Sequence, residues 1–141
     1  MRNILFSFIL FCLLFTHCYS TEICDFCATK SSPAISPSGQ YILELILGYD
    51  GKAYYNQFQI KTNDSKKDKI LFVAEERFYT RHTLFFLWDN EDRVWVYSGD
   101  VGTFFWTRKS DNVWVKSVYN DEGNVSAPEF LKKVRPRYHK K

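Results

Sequence analysis

From residue 40 onward, short apolar runs alternate with polar turn signals at intervals of about 8–12 residues, the spacing of an all-β domain. The runs predict seven strands: Tyr41 to Gly48, Ala53 to Thr62, Lys69 to Glu75, Thr83 to Trp88, Arg93 to Ser98, Thr103 to Arg108 and Val113 to Tyr119. Alternation assigns their faces. In the second run Tyr54, Phe58 and Ile60 oppose Tyr55, Gln57, Gln59 and Lys61, so one side is apolar and the other wet. The fourth run is apolar on both sides, with Leu84, Phe86 and Trp88 opposite Phe85 and Leu87, and in the fifth Trp95 and Tyr97 oppose Val94 and Val96. Such strands need cover on both faces, which predicts antiparallel strands in a two-layer sandwich rather than an open meander.

The connections carry hairpin chemistry. Asp50-Gly51 reads as a type I′ pair, Asp89-Asn90-Glu91-Asp92 and Lys109-Ser110-Asp111-Asn112 as polar turns, and Gly99 to Gly102 as a tight loop. The stretch from Glu75 to His82 is longer and predicts a bulge or a crossover between sheets. At the end of the chain, Ser126-Ala127-Pro128-Glu129 has the form of a capping box opening a short helix from Ala127 to Val134, stopped by Pro136. Phe130, Leu131 and Val134 share one face of it and are expected to plug an open end of the sheets.

Ser36-Pro37-Ser38-Gly39-Gln40-Tyr41 resembles the S-P-D-G-K-Y opening of TolB-type and related propeller blades, with Ser38 where Asp is usual. Leu87-Trp88-Asp89, followed by Arg93-Val94-Trp95-Val96-Tyr97, is a second echo. The resemblance implies two blade-like sheets. A closed propeller needs at least about four blades of roughly 40 residues each, more than this chain holds, so two such sheets would face one another.

The first residues change the picture of where the chain acts. Arg2 precedes a 12-residue run, Ile4 to Phe15, in which only Ser7 is polar. As a helix this run is about 18 Å long against about 30 Å of hydrocarbon, so it reads as a secretory signal rather than a membrane span. Two cleavage outcomes stay open. Cys18 and Ser20 suit an ordinary signal peptidase, while Phe15-Thr16-His17-Cys18 resembles a bacterial lipoprotein box with Cys18 as the lipidated residue, His17 departing from the usual small residue. The chain then divides into a signal at 1–20 (or to 17), a strap at 21–39, a β domain at 40–125, and a helix with a basic tail at 126–141. The expected location is secreted, periplasmic or outer envelope. Cys24-Asp25-Phe26-Cys27 spells C-x-x-C and, in an exported strap, predicts a local disulfide rather than a redox or zinc site.

Of 141 residues, 45% are hydrophobic and 18% aromatic, with 6 Gly and 4 Pro, which excludes disordered and collagen-like classes. Six of the 19 basic residues fall in 130–141, as Lys132, Lys133, Arg135, Arg137, Lys140 and Lys141. That tail is expected to be solvated, and without a basic face in the body no nucleic-acid partner is implied. Asn63-Asp64-Ser65 and Asn124-Val125-Ser126 are acceptor sequons for glycosylation in a eukaryotic host only.

Up-and-down alternation sorts the loops into two ends. One gathers Asp64, Asp89 to Asp92 and Asp111, read as acidic turns rather than calcium ligands. The other gathers Asp50, the segment from Glu75 to His82, and Asp100. Its Arg77, Tyr79, Arg81 and His82, with Asp50 and Asp100, suit recognition of an anion or acid–base work. Trp114 joins these binding candidates because it shares a strand face with Lys116 and is expected to point to water. The other tryptophans are expected in the core. No nucleophile-elbow, zincin, Walker or dinucleotide motif occurs, and no catalytic residue, metal or cofactor is assigned. Three roles remain: a binding module for a protein or glycan, in contact with membrane only through a lipid on Cys18; a small enzyme centred on His82; or an inhibitor or immunity-type protein.

Overall fold

A computed structural model describes residues 22–110 and 112–141. The expected signal at 1–20, Cys18 and Asp111 lie outside them. The chain forms two antiparallel sheets facing one another, the expected all-β sandwich. The first sheet has the order β1 (Cys27–Ala28), β7 (Leu84–Trp88), β8 (Val94–Ser98), β9 (Gly102–Ser110) and β10 (Val113–Val118). The second has β2 (Ala34–Ile35), β3 (Tyr41–Tyr49), β4 (Tyr54–Thr62) and β5 (Ile70–Val73), with β6 (Phe78–Tyr79) also paired to β4. Each sheet thus contains a four-stranded meander of consecutive strands. The seven expected strands correspond to β3–β5 and β7–β10. Three two-residue strands, too short to leave an alternating pattern, were not foreseen. The segment from Glu75 to His82 is the crossover: β6 still pairs with the second sheet, and β7 opens the first.

The face assignments of β7 and β8 hold. Phe86, Trp88, Val94 and Val96 are buried between the sheets with Leu43, Phe58, Ile60, Trp106 and Trp114. Leu87, Trp95 and Tyr97 belong to a second core on the outer side of the first sheet, with Phe105, Ala127 and Leu131. Helix α1 (Glu129–Val134) therefore lies across that outer face instead of plugging an end, because β8 leaves two large rings there that a sandwich alone does not cover. The strap lies on the same side, where Cys24 and Cys27 form a disulfide and pack against this core.

The capping box does not form. Pro128 is the N-cap residue without a side-chain cap bond, and Glu129 pairs with Lys132 at 2.8 Å. The Asp50-Gly51 turn is a four-residue loop with only Gly51 at positive φ, not a two-residue type I′ turn. The blade-like stretch from Ser36 to Tyr41 is the turn from β2 to β3, closed by Gly39 N–H to the Ser36 carbonyl at 2.8 Å.

Contrary to expectation, the basic tail is docked. Arg135 lies over Phe85 and Tyr97, and the N–H of Ala127 and the hydroxyl of Tyr119 donate to the Lys141 carbonyl. Burial and Asp121 push the Tyr119 hydroxyl up to about 12. His139 is buried: Nδ1 faces the Arg135 carbonyl at 3.1 Å and so carries the proton, leaving Nε2 to accept from Thr103 Oγ1 at 2.8 Å. Burial holds this imidazole below its usual range. The unfolded chain therefore takes up a proton at higher pH than the folded chain. The stability His139 contributes is complete above its ordinary value of 6.5 and is lost as pH falls through the folded value. Urea unfolding is expected to show a drop in midpoint between pH 7 and pH 5 that is flattened in His139→Gln; an identical drop in both proteins would refute this role.

Candidate functional site

The β3–β4 hairpin runs past the edge of the first sheet, so at its tip Leu47, Tyr49 and Tyr54 are exposed although they continue the inward-facing series of β3 and β4. The expected apolar face of β4 thus ends at Phe58, and Tyr54 instead packs against Tyr49 with the rings tilted and their centres 4.9 Å apart. On the opposite face of the hairpin, Tyr55 lies across Gly48, its cross-strand partner, and a Cβ at Gly48 would overlap the ring. Any larger residue there would have to displace the Tyr55 ring, so close approach rather than backbone angle favours glycine.

Asp50 organises the loop at this tip. Its Oδ1 accepts the N–H groups of Lys52 and Ala53, each at 2.9 Å, and its Oδ2 accepts the Tyr79 hydroxyl at 2.8 Å. The two backbone donors, then Tyr79 and the nearby Arg77 charge, hold the carboxyl down at about 2. The same bond raises the Tyr79 phenol. Strand pairing of β6 with β4 sets Tyr79 opposite Tyr55, and the rings meet edge to face at 6.4 Å. The Arg77 guanidinium lies 4.8 Å from the centre of the Tyr55 ring and that of Arg81 5.7 Å from Tyr79.

The series continues into the first sheet. Arg81 Nε donates to His82 Nε2 at 3.0 Å, and the same nitrogen lies 3.3 Å from Asp100 Oδ2. Accepting from Arg81 places the His82 proton on Nδ1; protonation of the ring would turn Nε2 into a donor toward Asp100. Ser98 donates its hydroxyl to Asp100 Oδ1, and this bond lowers the Asp100 carboxyl. Two open grooves flank the series. One, of about 440 Å³, is lined by Lys30, Leu47, Tyr54, Asn56 and Thr80. The other, of about 350 Å³, includes Tyr97, Ser98, Asp100, Thr103, Tyr119 and Tyr138.

Six of the seven expected binding residues, Asp50, Arg77, Tyr79, Arg81, His82 and Asp100, are thus brought to one end. Trp114 is not among them. It is 7% exposed and packs between the sheets against Tyr41 and Trp88, with ring centres 5.7 and 6.0 Å away. Lys116 does share its face, but inward: its ammonium lies 4.3 Å from the centre of the Phe104 ring and 5.7 Å from that of Trp106, and pairs with Glu76 at 2.8 Å. A lysine at a sheet edge can bury its carbons and extend its charge to the rim, so it does not mark a wet face. The four tyrosines of the site, Tyr49, Tyr54, Tyr55 and Tyr79, went unrecognised except for Tyr79. Their signal was Tyr49 before and Tyr54-Tyr55 after a polar hairpin apex.

At the opposite end, Asp89 is buried by partners of its own, and Asp92 accepts the N–H of Ser38 at 3.1 Å. Among the described residues no three His, Cys, Asp or Glu side chains are grouped so as to hold a metal. In comparisons with known proteins, no family model, no curated protein and no solved structure matches this chain.

Proposed function

We propose that the chain is an exported binding module whose Tyr-Arg end captures a protein or glycan partner through a carboxylate or other oxyanion group. The observation that carries this reading is the pair of exposed guanidiniums, Arg77 and Arg81, each laid on a tyrosine ring. Among the described residues neither has a carboxylate within 4.0 Å, while Asp50 is held by Tyr79 and the loop amides. Arginine and tyrosine are enriched in binding hot spots, and a guanidinium already laid on a ring loses little freedom when it grips an anion in a fork of two hydrogen bonds.

The position of the site supports display from an envelope. The strap meets β7 at Trp88, whose N–H donates to the Phe26 carbonyl, whereas His82 precedes the other end of that strand. Glu22 and the site therefore lie at opposite ends of the sandwich, and a lipid or membrane near Cys18 would leave the tyrosines facing outward. The disulfide suits the oxidising compartment that the signal-like N-terminus implies. The enzyme reading has less support: the Ser98 hydroxyl donates to Asp100, and among the described residues His82 has no hydroxyl or thiol partner to activate.

Capture from envelope extracts tests the proposal. Both arginines are exposed, so the Arg77→Ala/Arg81→Ala double variant is expected to stay folded and to lose affinity for the captured partner by at least about 30-fold, the equivalent of one hot spot. Lys66→Ala, at the far end, is the control and should bind as the unmodified protein does. Equal capture by the double variant would overturn the assignment.

A further inference from the structure

A single ring nitrogen of His82 faces two neighbours that make opposite demands on it. An imidazole nitrogen has one in-plane position, which holds either a lone pair or a proton. Arg81 Nε–H, with its nitrogen 3.0 Å from His82 Nε2, requires the lone pair, whereas Asp100 Oδ2, 3.3 Å from the same atom, requires the proton. Neutral His82 therefore bonds to Arg81 and charged His82 to Asp100.

The surroundings sharpen the choice. Among the described residues, the charged groups that face His82 are Arg81, from its own segment, and Asp100, from the turn between β8 and β9. At the hairpin tip, Tyr79 and Asp50 are taken up with each other. The Ser98 hydroxyl occupies Asp100 Oδ1, which leaves Oδ2 to His82 and holds the carboxyl below its ordinary range, so Asp100 stays ionised wherever a histidine titrates. The side chains of His82 and Asp100 retain 30% and 26% of their exposure, so solvent screens their contact only in part.

We infer that His82 is the positioning residue of Arg81 and couples oxyanion capture to protonation: neutral, it holds the guanidinium by Nε; charged, it donates to Asp100 and releases that Nε to an incoming anion. The inference rests on the reading of the Tyr-Arg end as an oxyanion site. While Nε is held, Arg81 offers only its terminal nitrogens beside the Tyr79 ring. Once freed, Nε and one terminal nitrogen form a second edge with the fork geometry that fits a carboxylate or a sulfate. The positive charge on the ring adds to the attraction at that edge. Acid therefore strengthens capture, and by reciprocity a bound anion makes His82 easier to protonate.

Nitrogen NMR of the unmodified protein tests the exchange of partners without any ligand. At pH 8 the His82 ring should carry its proton on Nδ1; between pH 8 and pH 5 the Arg81 Nε–H resonance should move with the same midpoint as the ring, while that of Arg77 stays in place. A ring proton on Nε2 at pH 8, or an Arg81 resonance that does not follow the ring, would overturn the inference. Sulfate, a dianion throughout this range, is the probe for capture. It should bind about fivefold more tightly at pH 5 than at pH 8, the scale of one partly exposed charge interaction, and His82→Gln should abolish that ratio. Equal affinity at both pH values, or a ratio unchanged in His82→Gln, would overturn the coupling. Sulfate bound at neither pH would overturn the oxyanion reading and the coupling with it, a failure told apart from loss of the exchange because the resonances of Arg81 and His82 report that separately.

Discussion

Asp89→Ala is expected to destabilise the fold by about 3–5 kcal/mol, the range found when one partner of a buried charged pair is removed. Asp89 follows β7, and its carboxylate closes the turn into β8 from inside. Oδ1 accepts the N–H groups of Glu91 and Arg93 at 2.9 and 3.0 Å, and Oδ2 accepts Arg93 Nε at 2.6 Å and Trp95 Nε1 at 2.7 Å. Alanine leaves the indole N–H of a fully buried tryptophan without a partner and removes the closest carboxylate of a largely buried guanidinium, which keeps its contact with Glu91 at 3.1 Å and its place over the Phe105 ring. Asp89→Asn retains the shape and one acceptor oxygen and should fall between the two. Urea unfolding measures all three proteins; a loss below about 1 kcal/mol for the alanine variant would show that the turn tolerates an open carboxylate site.

Trp106→Ala is expected to cost a further large amount in its own right, about 3–5 kcal/mol as for other large rings removed from a closed core. Trp106 comes from β9, is 1% exposed, and meets Phe58 of β4 edge to face at 4.9 Å, so it is a direct weld between the sheets. Trp114 provides the contrast. Its indole N–H has no hydrogen-bond partner among the described residues, so Trp114→Phe removes a buried unsatisfied donor together with part of a ring. The two effects oppose, and Trp114→Phe should stay within about 1 kcal/mol of the unmodified protein. A Trp114→Phe loss as large as that of Trp106→Ala would show that the indole donor is satisfied in solution.

The pattern of β7 and β8 was legible because both their faces are apolar. Residues of period two on a strand go to opposite sides whatever lies beyond, so Phe86 and Leu87, or Val96 and Trp95, could be placed in separate cores before either core was known. The end at which Asp50, Arg77, Tyr79, Arg81, His82 and Asp100 meet was legible for a related reason: with strands alternating in direction, every second connection returns to the same end. Trp114 failed because a single lysine was used to assign a face at a sheet edge, where a long side chain can reach solvent from either side. The tail failed because charge counts side-chain heads, whereas the docking of 135–141 depends on backbone carbonyls, one imidazole and the flat surface of Arg135.

By itself the order of apolar and polar residues determined the strands, their faces, the need for a covering layer and the end where the loop charges collect, because these follow from backbone geometry acting over a few neighbours. Tertiary structure alone decided that α1 and the tail supply the outer layer, that the β3–β4 hairpin projects and exposes its tyrosines, and that Arg77 and Arg81 come to rest on rings. Those outcomes depend on which distant surfaces meet and how far one sheet extends beyond the other, quantities that no local period contains.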